Sequence, residues 1–334
     1  EVWKSVRAAA EFARVEAVPA ATGLAPDLEQ ADLGGQHFRL LARPRVALLA
    51  NMPVSPDAYG HLWHHLDQRV GVPFTILDAQ TFGSYDLRRY NVLVLPPAWG
   101  GGLLGDQKEA LASWVENGGT LIACDAAAAE LTAGALGLSA VKLRQDALEE
   151  LEPYAKAVER ERAARNVVVD ETALWNAPVE EPAPPAEGEA KEAKSAKEPA
   201  KITPEDDRHA RLFSPQGVTL RASVNEDAWI TAGIDATLPV LVSGSDVFLA
   251  KPPVTTAVRL DPPATLRLAG LLWPEARARL ADSAWLTVER KGHGQVILFA
   301  SAPAFRGYQL ASARLFANAV VLGPGLGADQ PAGW

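Results

Sequence analysis

The sequence predicts an α/β protein whose open, mostly parallel sheet carries helices on both faces and is completed by a strand-rich C-terminal portion. Two observations lead to this class. Between residues 44 and 177, short and almost wholly apolar runs alternate with amphipathic segments, which is typical of parallel strands buried on both faces. Between residues 208 and 325 strand-like runs dominate instead. We therefore expect the late strands to complete the first sheet and to add a β layer.

The composition allows a sizeable core and excludes several kinds of partner. Of 334 residues, 48% are hydrophobic, and the formal net charge is −9. Nucleic acids and anionic membranes are bound by clustered Lys and Arg, so we expect neither as a partner. One cysteine excludes an intramolecular disulfide framework. No apolar run reaches the roughly 18 residues that a membrane-spanning helix needs.

The first element is a predicted helix that opens a lead-in of residues 1–43. Val2, Val6 and Phe12 recur at helical spacing between charged residues. The chain starts with Glu1 inside this helix, and Met52 is its only methionine. We therefore expect the chain to be the C-terminal part of a longer protein, with any targeting segment upstream.

The alternating part then follows in order. Residues 46–50 are a short apolar run that predicts the first strand, and Ser55 and Pro56 mark the start of the next helix as its N-cap and first turn. Asn117 and Gly118 end a later helix and precede another apolar run. On the same criteria, strands are predicted at 73–77, 92–95 and 120–123, and helices at 107–115 and 126–131.

The second half contains an insertion and the late strands. Residues 178–207 are rich in Pro, Glu, Lys and Ala, with only Val179 and Ile202 as large aliphatic residues. Such a stretch cannot bury a core, so a disordered insertion is predicted. A charged helix precedes it at 148–165. Strands follow at 218–222, 239–242, 255–260, 284–289 and 295–300, with a five-residue hairpin loop at 290–294 and a closing helix at 310–322.

Candidate binding residues lie where the predicted parallel strands end. Open α/β sheets bind ligands beyond the carboxyl ends of their strands. Asn51, Trp99 and Asp125 follow the first, third and fourth predicted strands, and Arg306 follows the last. These four are the candidate ligand-binding residues. For Trp99 and Arg306, a purely structural role is the simpler alternative.

Cys124 is the candidate catalytic residue. A thiol on a strand-to-helix turn lies beside a helix N-terminus, which favours the thiolate. A nucleophilic cysteine also needs a base, and His61 and His64 follow the first strand and are the candidates. A structural thiol remains the default interpretation.

Two further motifs are each consistent with a binding site and with a simpler structural explanation. Residues 100–105, with Asp125 further on, match the dinucleotide fingerprint, although they follow the third strand and not the first. A flexible glycine loop is the alternative. His61 and His65 have the spacing of a zinc pair, but Leu62 stands where a zinc protease carries Glu. No metal-binding residue is therefore predicted.

The alternation resembles the class I glutamine amidotransferase-like, flavodoxin-like fold. In that family the nucleophile lies in a Gly-x-Cys-x-Gly turn, and His and Glu follow a late strand. Here Ile122 and Ala126 stand in place of the two glycines, and residues 296–304 contain neither His nor Glu. The resemblance thus implies the fold, with Cys124 as a mark of ancestry.

A closer resemblance is carried by segments in order along most of the chain, at residues 59–63, 71–75, 87–96, 114–122, 243–248, 292–299, 305–306 and 314–319. These segments resemble the amidotransferase-like domain found C-terminal to the catalytic domain of some bacterial zinc carboxypeptidases of the carboxypeptidase A type. The resemblance implies that residues 44–177 and 208–325 form one accessory domain, that this chain is not itself catalytic, and that zinc and peptide hydrolysis belong upstream. It also implies the upstream peptidase domain as partner, a peptide or glycan as ligand, and a secreted or periplasmic location. The alternative is a cysteine-dependent amidase or hydrolase using Cys124.

Overall fold

The chain divides into two compact units, residues 1–41 and 42–334. The computed structural model describes residues 2–13, 41–100, 102–105, 107–148, 150–165 and 212–329, so the predicted insertion at 178–207 lies outside the described residues. In the first unit, α1 (Val2–Ala13) is amphipathic, with Trp3 and Phe12 exposed. Within the described ranges, no helix is long and apolar enough to cross a membrane.

Five parallel strands form the first half of the sheet in the second unit. The strands are β1 (Val46–Ala50), β2 (Phe74–Asp78), β3 (Val92–Leu95), β4 (Thr120–Cys124) and β12 (Gly294–Phe299). Their spatial order is β2, β1, β3, β4, β12, and each neighbouring pair is parallel. Every residue of β1, β3, β4 and β12 is buried, as the apolar runs predict.

The other strands extend this sheet in antiparallel fashion. The antiparallel strands are β5 (Lys142–Leu143), β6 (Gln216–Val224), β7 (Thr237–Ser243), β8 (Phe248–Leu249), β9 (Thr255–Leu260), β10 (Arg267–Ala269) and β11 (Ala284–Lys291). β11 pairs with β12 on one side and with β9 on the other, and β6 lies between β9 and β7. The described strands thus belong to one sheet of 12 strands, and the expected additional β layer is instead an extension of that sheet.

Helices cover both faces of the parallel half, which confirms the predicted open α/β architecture. Leu62 and Leu66 pack with Phe316 on one face, whereas Leu111 and Trp114 pack on the other. The first face carries α2 (Pro56–His64), the π-helical segment His65–Val70 and α7 (Leu310–Leu326), and the second carries α3 (Lys108–Glu116) and α4 (Ala126–Glu130). The remaining helices are α5 (Leu151–Arg165) and α6 (Pro274–Leu280).

The hairpin between β11 and β12 is tighter than predicted. Strand pairing continues to Lys291 and Gly294, so the loop contains only Gly292 and His293. Gly292 has φ +57°, a conformation that glycine adopts without a steric penalty. Gly294 lies against the end of α3, because a Cβ there would stand 2.0 Å from the carbonyl oxygen of Val115. The glycines permit the close approach and hence the two-residue turn.

Candidate functional site

The carboxyl ends of β1, β3, β4 and β12 form one edge of the sheet, because these strands are adjacent and parallel. The loops that follow β1 and β3 are joined to each other. Val54 and Ala98 form an isolated antiparallel bridge, and the Trp99 amide donates to the Pro53 carbonyl at 2.9 Å. This pairing gives the edge a defined rim, from which the Trp99 side chain projects with 56% of its surface exposed.

Asn51 holds two strand ends together. It has φ +65°, a conformation that Asn tolerates better than most residues. Its Nδ2 donates to Asp78 Oδ2 at 2.9 Å, and Asp78 Oδ1 accepts from the Gln80 amide at 2.8 Å. The predicted binding residue therefore connects the ends of β1 and β2 through its side chain.

Asp125, and not Cys124, occupies the sharp turn between β4 and α4. Its backbone has φ +54° and ψ −126°, which is a strained conformation for a residue with a side chain. Its amide donates to the Phe299 carbonyl at 2.8 Å, and its carbonyl accepts from the Ala128 and Ala129 amides. The turn that was predicted to present the thiol thus presents a carboxyl group.

Cys124 is placed in the core. Its side chain is fully buried in the same apolar cluster as Ile122 and Phe299. Burial, and then the negative charge of Asp125, raise the pKa of the thiol. Cys124 is the last residue of β4, and helices cover both faces of that strand, so the Cys124 side chain points into the core. This environment argues against Cys124 as a nucleophile.

The candidate bases lie on α2 and do not form a catalytic pair with the thiol. The His61 ring is 5.1 Å from the Phe305 ring, and within the described residues its Nδ1 is buried without a hydrogen-bond partner. Burial lowers the pKa of His61, and nearby Arg306 lowers it further, while Asp57 opposes both. His64 is exposed to solvent. Among the described residues, no three His, Cys, Asp or Glu side chains cluster as a metal site.

Arg306 lies on the loop that follows β12. Its backbone has φ +48°, and its guanidinium lies 5.2 Å from the Phe305 ring centroid. Across the described ranges no carboxylate forms an ion pair with it. An exposed guanidinium of this kind is suited to pairing with an anion.

Exposed apolar side chains accompany these polar groups at the edge. Met52 is 53% exposed, and Tyr308, whose ring is 6.4 Å from that of Phe305, is 59% exposed. Together with Trp99 they lie on the loops after three of the parallel strands. Neither Met52 nor Tyr308 belongs to a motif, so the only sequence signal for them is their position after a strand.

Asp125 has the most perturbed carboxyl group at this edge. Burial, and then the nearby charge of Asp246, raise the pKa of Asp125 to about 6. Burial also raises the pKa of Asp246, while Arg279 opposes that effect. The Asp125 carboxyl group therefore changes charge close to neutral pH.

The glycine loop is already bonded to an internal anion. The Leu103 amide donates to Glu130 Oε2 at 3.0 Å. A phosphate group at residues 102–103 would have to displace this carboxylate, so the structure favours the flexible-loop alternative over a nucleotide site. Glu130 lies 27 positions away in sequence, which is why the motif alone did not reveal it.

No protein-family model and no curated protein matches the chain. Among solved structures it is similar to a Thermoplasma acidophilum protein assigned as part of a GMP synthase (11% identity, 84% of this chain and 94% of that chain, TM-score 0.43). It is also similar to a glutamine amidotransferase from Thermotoga maritima (9%, 78% and 75%, 0.40) and to a β-galactosidase from Bacillus circulans sp. alkalophilus (10%, 84% and 32%, 0.40). Likenesses of this degree carry no argument about function, and the fold class follows from the strand order itself.

Proposed function

We propose that this chain is a non-catalytic, amidotransferase-like accessory domain of a larger zinc-carboxypeptidase-like protein, and that it binds its ligand at the carboxyl edge of the sheet. One observation carries the proposal: the strained turn presents Asp125, while the thiol of Cys124 is buried beside it. Zinc and peptide hydrolysis would then belong to the part of the polypeptide that precedes this chain. That part of the proposal rests on the sequence resemblance.

The ligand class follows from the side chains at the rim. Trp99 and Tyr308 offer exposed aromatic faces, which pack against sugar rings and apolar peptide side chains. Arg306 offers a guanidinium that no described carboxylate pairs. A peptide or glycan that carries an anionic group satisfies both kinds of contact.

Calorimetric titration tests this binding. The probes are heptapeptides with free C-termini, the same peptides amidated, an oligogalacturonate hexamer, which carries carboxylates, and an uncharged N-acetylglucosamine hexamer. We expect one class to bind and the Trp99→Ala variant to weaken it about tenfold, since an aromatic contact contributes about 1 kcal/mol beyond its area. Trp273→Ala is the matched control, because Trp273 is 45% exposed but precedes α6, away from this edge. Absence of binding to all probes, or equal weakening by both variants, would overturn the proposal.

The wider assignment has a separate test. The sequence that precedes Glu1 in the natural gene should encode a His-x-x-Glu pair with a more distant His. Absence of such a zinc motif would refute the carboxypeptidase part, while binding at the carboxyl edge would stay open to the titration.

A second candidate is acid–base catalysis by Asp125, which its strained backbone and its pKa of about 6 favour. Hydrolysis of a bound probe should then fall at least tenfold in Asp125→Asn, as expected for loss of a general acid. Binding without any hydrolysis by the unaltered chain would exclude this candidate and leave the accessory role.

A further inference from the structure

A cavity lies beneath α5, and neither the glycine loop at residues 100–105 nor Cys124 contributes to its lining. It has a volume of about 350 Å³ and lies between α5, α6 and the strands β8 and β9. Leu151, Val158, Leu249 and Ala281 contribute apolar walls. The same lining carries the charged side chains of Glu159, Arg162, Arg259 and Asp282, so the cavity offers both apolar and charged contacts to a small molecule.

Arg144 is the polar group in this cavity that lacks a counter-charge. Its Nη1 donates to the Arg279 carbonyl at 3.3 Å, and among the described residues no carboxylate pairs with it. Burial, and then the charge of Arg279, lower the pKa of Arg144. A half-buried guanidinium beside a like charge is therefore a group that an anion would stabilise.

The neighbouring arginines of the same cavity are occupied. Arg259 forms two hydrogen bonds to Glu161, at 2.7 and 2.8 Å, and Arg162 pairs with Asp282. These pairs satisfy their guanidinium groups within the fold. The contrast shows that the missing partner of Arg144 is a local feature of the cavity.

Tyr154 adds an aromatic wall to the same lining. The residue is 4% exposed, and its hydroxyl oxygen has no accessible surface and, within the described residues, no hydrogen-bond partner. A ligand in the cavity therefore meets the ring of Tyr154 and not its hydroxyl.

We propose that the cavity beneath α5 binds a small carboxylic acid with an apolar body, whose carboxylate pairs with Arg144 while the body contacts the aliphatic walls. A planar guanidinium and a carboxylate form two parallel hydrogen bonds. Of the described arginines in the lining, Arg144 alone has no carboxylate partner, which favours a ligand with an anionic group, and the aliphatic walls match a hydrocarbon chain or ring. This site is independent of the carboxyl edge.

Calorimetry with hexanoate and phenylacetate tests the proposal, with hexanamide and hexanol as ligands of similar shape but no charge. We expect at least one acid to bind and its uncharged analogue to bind at least tenfold more weakly, because a hydrogen bond to a charged group contributes about 1.5–3 kcal/mol. Arg144→Gln should lose at least tenfold in affinity, and Arg144→Lys should lose less.

Controls separate the two sites and check the fold. Arg88→Gln removes an exposed arginine that pairs with Asp86 on the surface and should leave acid binding unchanged. Arg306→Gln should also leave it unchanged, although it should weaken peptide or glycan binding at the carboxyl edge. Equal affinity for acid and amide, no effect of Arg144→Gln in a folded variant, or no binding of either acid at millimolar concentration would overturn the proposal.

Discussion

The two halves of the sheet use their polar residues differently. In the antiparallel half, buried charged groups are paired within the fold: Arg259 with Glu161, and Glu289 with Ser139, Ala140 and Lys291. In the parallel half the strand interiors are almost wholly apolar. The ionisable groups Asp125 and Arg306 lie instead at the carboxyl edge. The buried charged groups on the antiparallel strands thus stabilise the fold, whereas Arg306 at the carboxyl edge has no described carboxylate partner and remains available to a ligand.

The two halves of the sheet meet at β12, and the seam is the start of this strand, where Gly294 packs on α3. A substitution at the seam should lower the free energy of unfolding most. Gly294→Ala places a Cβ 2.0 Å from the Val115 carbonyl oxygen and 2.3 Å from that of Gly119. Both contacts are to backbone, so relief requires β12 to move away from α3. We expect a loss of about 3 kcal/mol or more in the free energy of unfolding, measured in urea.

Gly60→Ala is the matched control for Gly294→Ala. Gly60 lies in α2, where an added Cβ meets nothing within 4 Å. Alanine in a helix should raise the free energy of unfolding by about 0.5–1 kcal/mol. Equal stability of the two variants would contradict the close packing at the seam.

The antiparallel half should depend strongly on its buried ion pair. Glu161→Ala leaves the Arg259 guanidinium, 6% exposed, with only Thr256 and a backbone carbonyl as partners. Since an uncompensated buried charge is costly, we expect a loss of about 2–3 kcal/mol in the free energy of unfolding. Glu152→Ala, which breaks an exposed pair with Lys156, should change the free energy of unfolding far less. If both variants lose the same amount, the pair does not stabilise this half.

The sequence predicts the interior of the parallel half well and its surface contacts poorly. Runs such as residues 92–95 and 120–124 are apolar enough to be strands with no knowledge of their neighbours. The pairing of Arg259 with Glu161 spans 98 positions, and no local pattern encodes it. The predicted hairpin loop was too long because the close packing of Gly294 on α3 is a tertiary contact.

The position of the candidate residues at one edge of the sheet was predictable from the sequence, whereas their binding roles stay predictions. Asn51, Trp99, Asp125 and Arg306 all follow parallel strands, as the alternation implies. The strand β4 extends to Cys124, one residue further than predicted. Cys124 therefore belongs to a strand that is buried on both faces, and Asp125 takes the position at the turn.

Asp125 should make the stability of the parallel half depend on pH. Its pKa in the folded chain is raised to about 6 from 3.8, so the fold favours the protonated group. The associated stability is fully present below pH 3.8 and is lost as the pH rises through about 6. Asp125→Asn removes this loss, and the variant should therefore exceed the parent by about 2–3 kcal/mol at pH 7 and by much less at pH 4.

Unfolding free energies of both chains at the two pH values measure this difference. Asp67→Asn, on the exposed side of the π-helical segment, serves as the control for the loss of a carboxyl group at the surface. A difference between Asp125→Asn and the parent that is the same at both pH values would show that the carboxyl group is not perturbed by the fold.

The central claim is that the strand-to-helix turn presents a carboxyl group while its thiol belongs to the core. The most direct measurement is the rate at which iodoacetamide modifies Cys124 at pH 8, in the native chain and in denaturant, followed by mass spectrometry. Because the thiol is fully buried and its pKa is raised, we expect native modification to be ~100-fold slower or more. Rapid and selective modification of the native chain near neutral pH would contradict the account and restore Cys124 as a nucleophile.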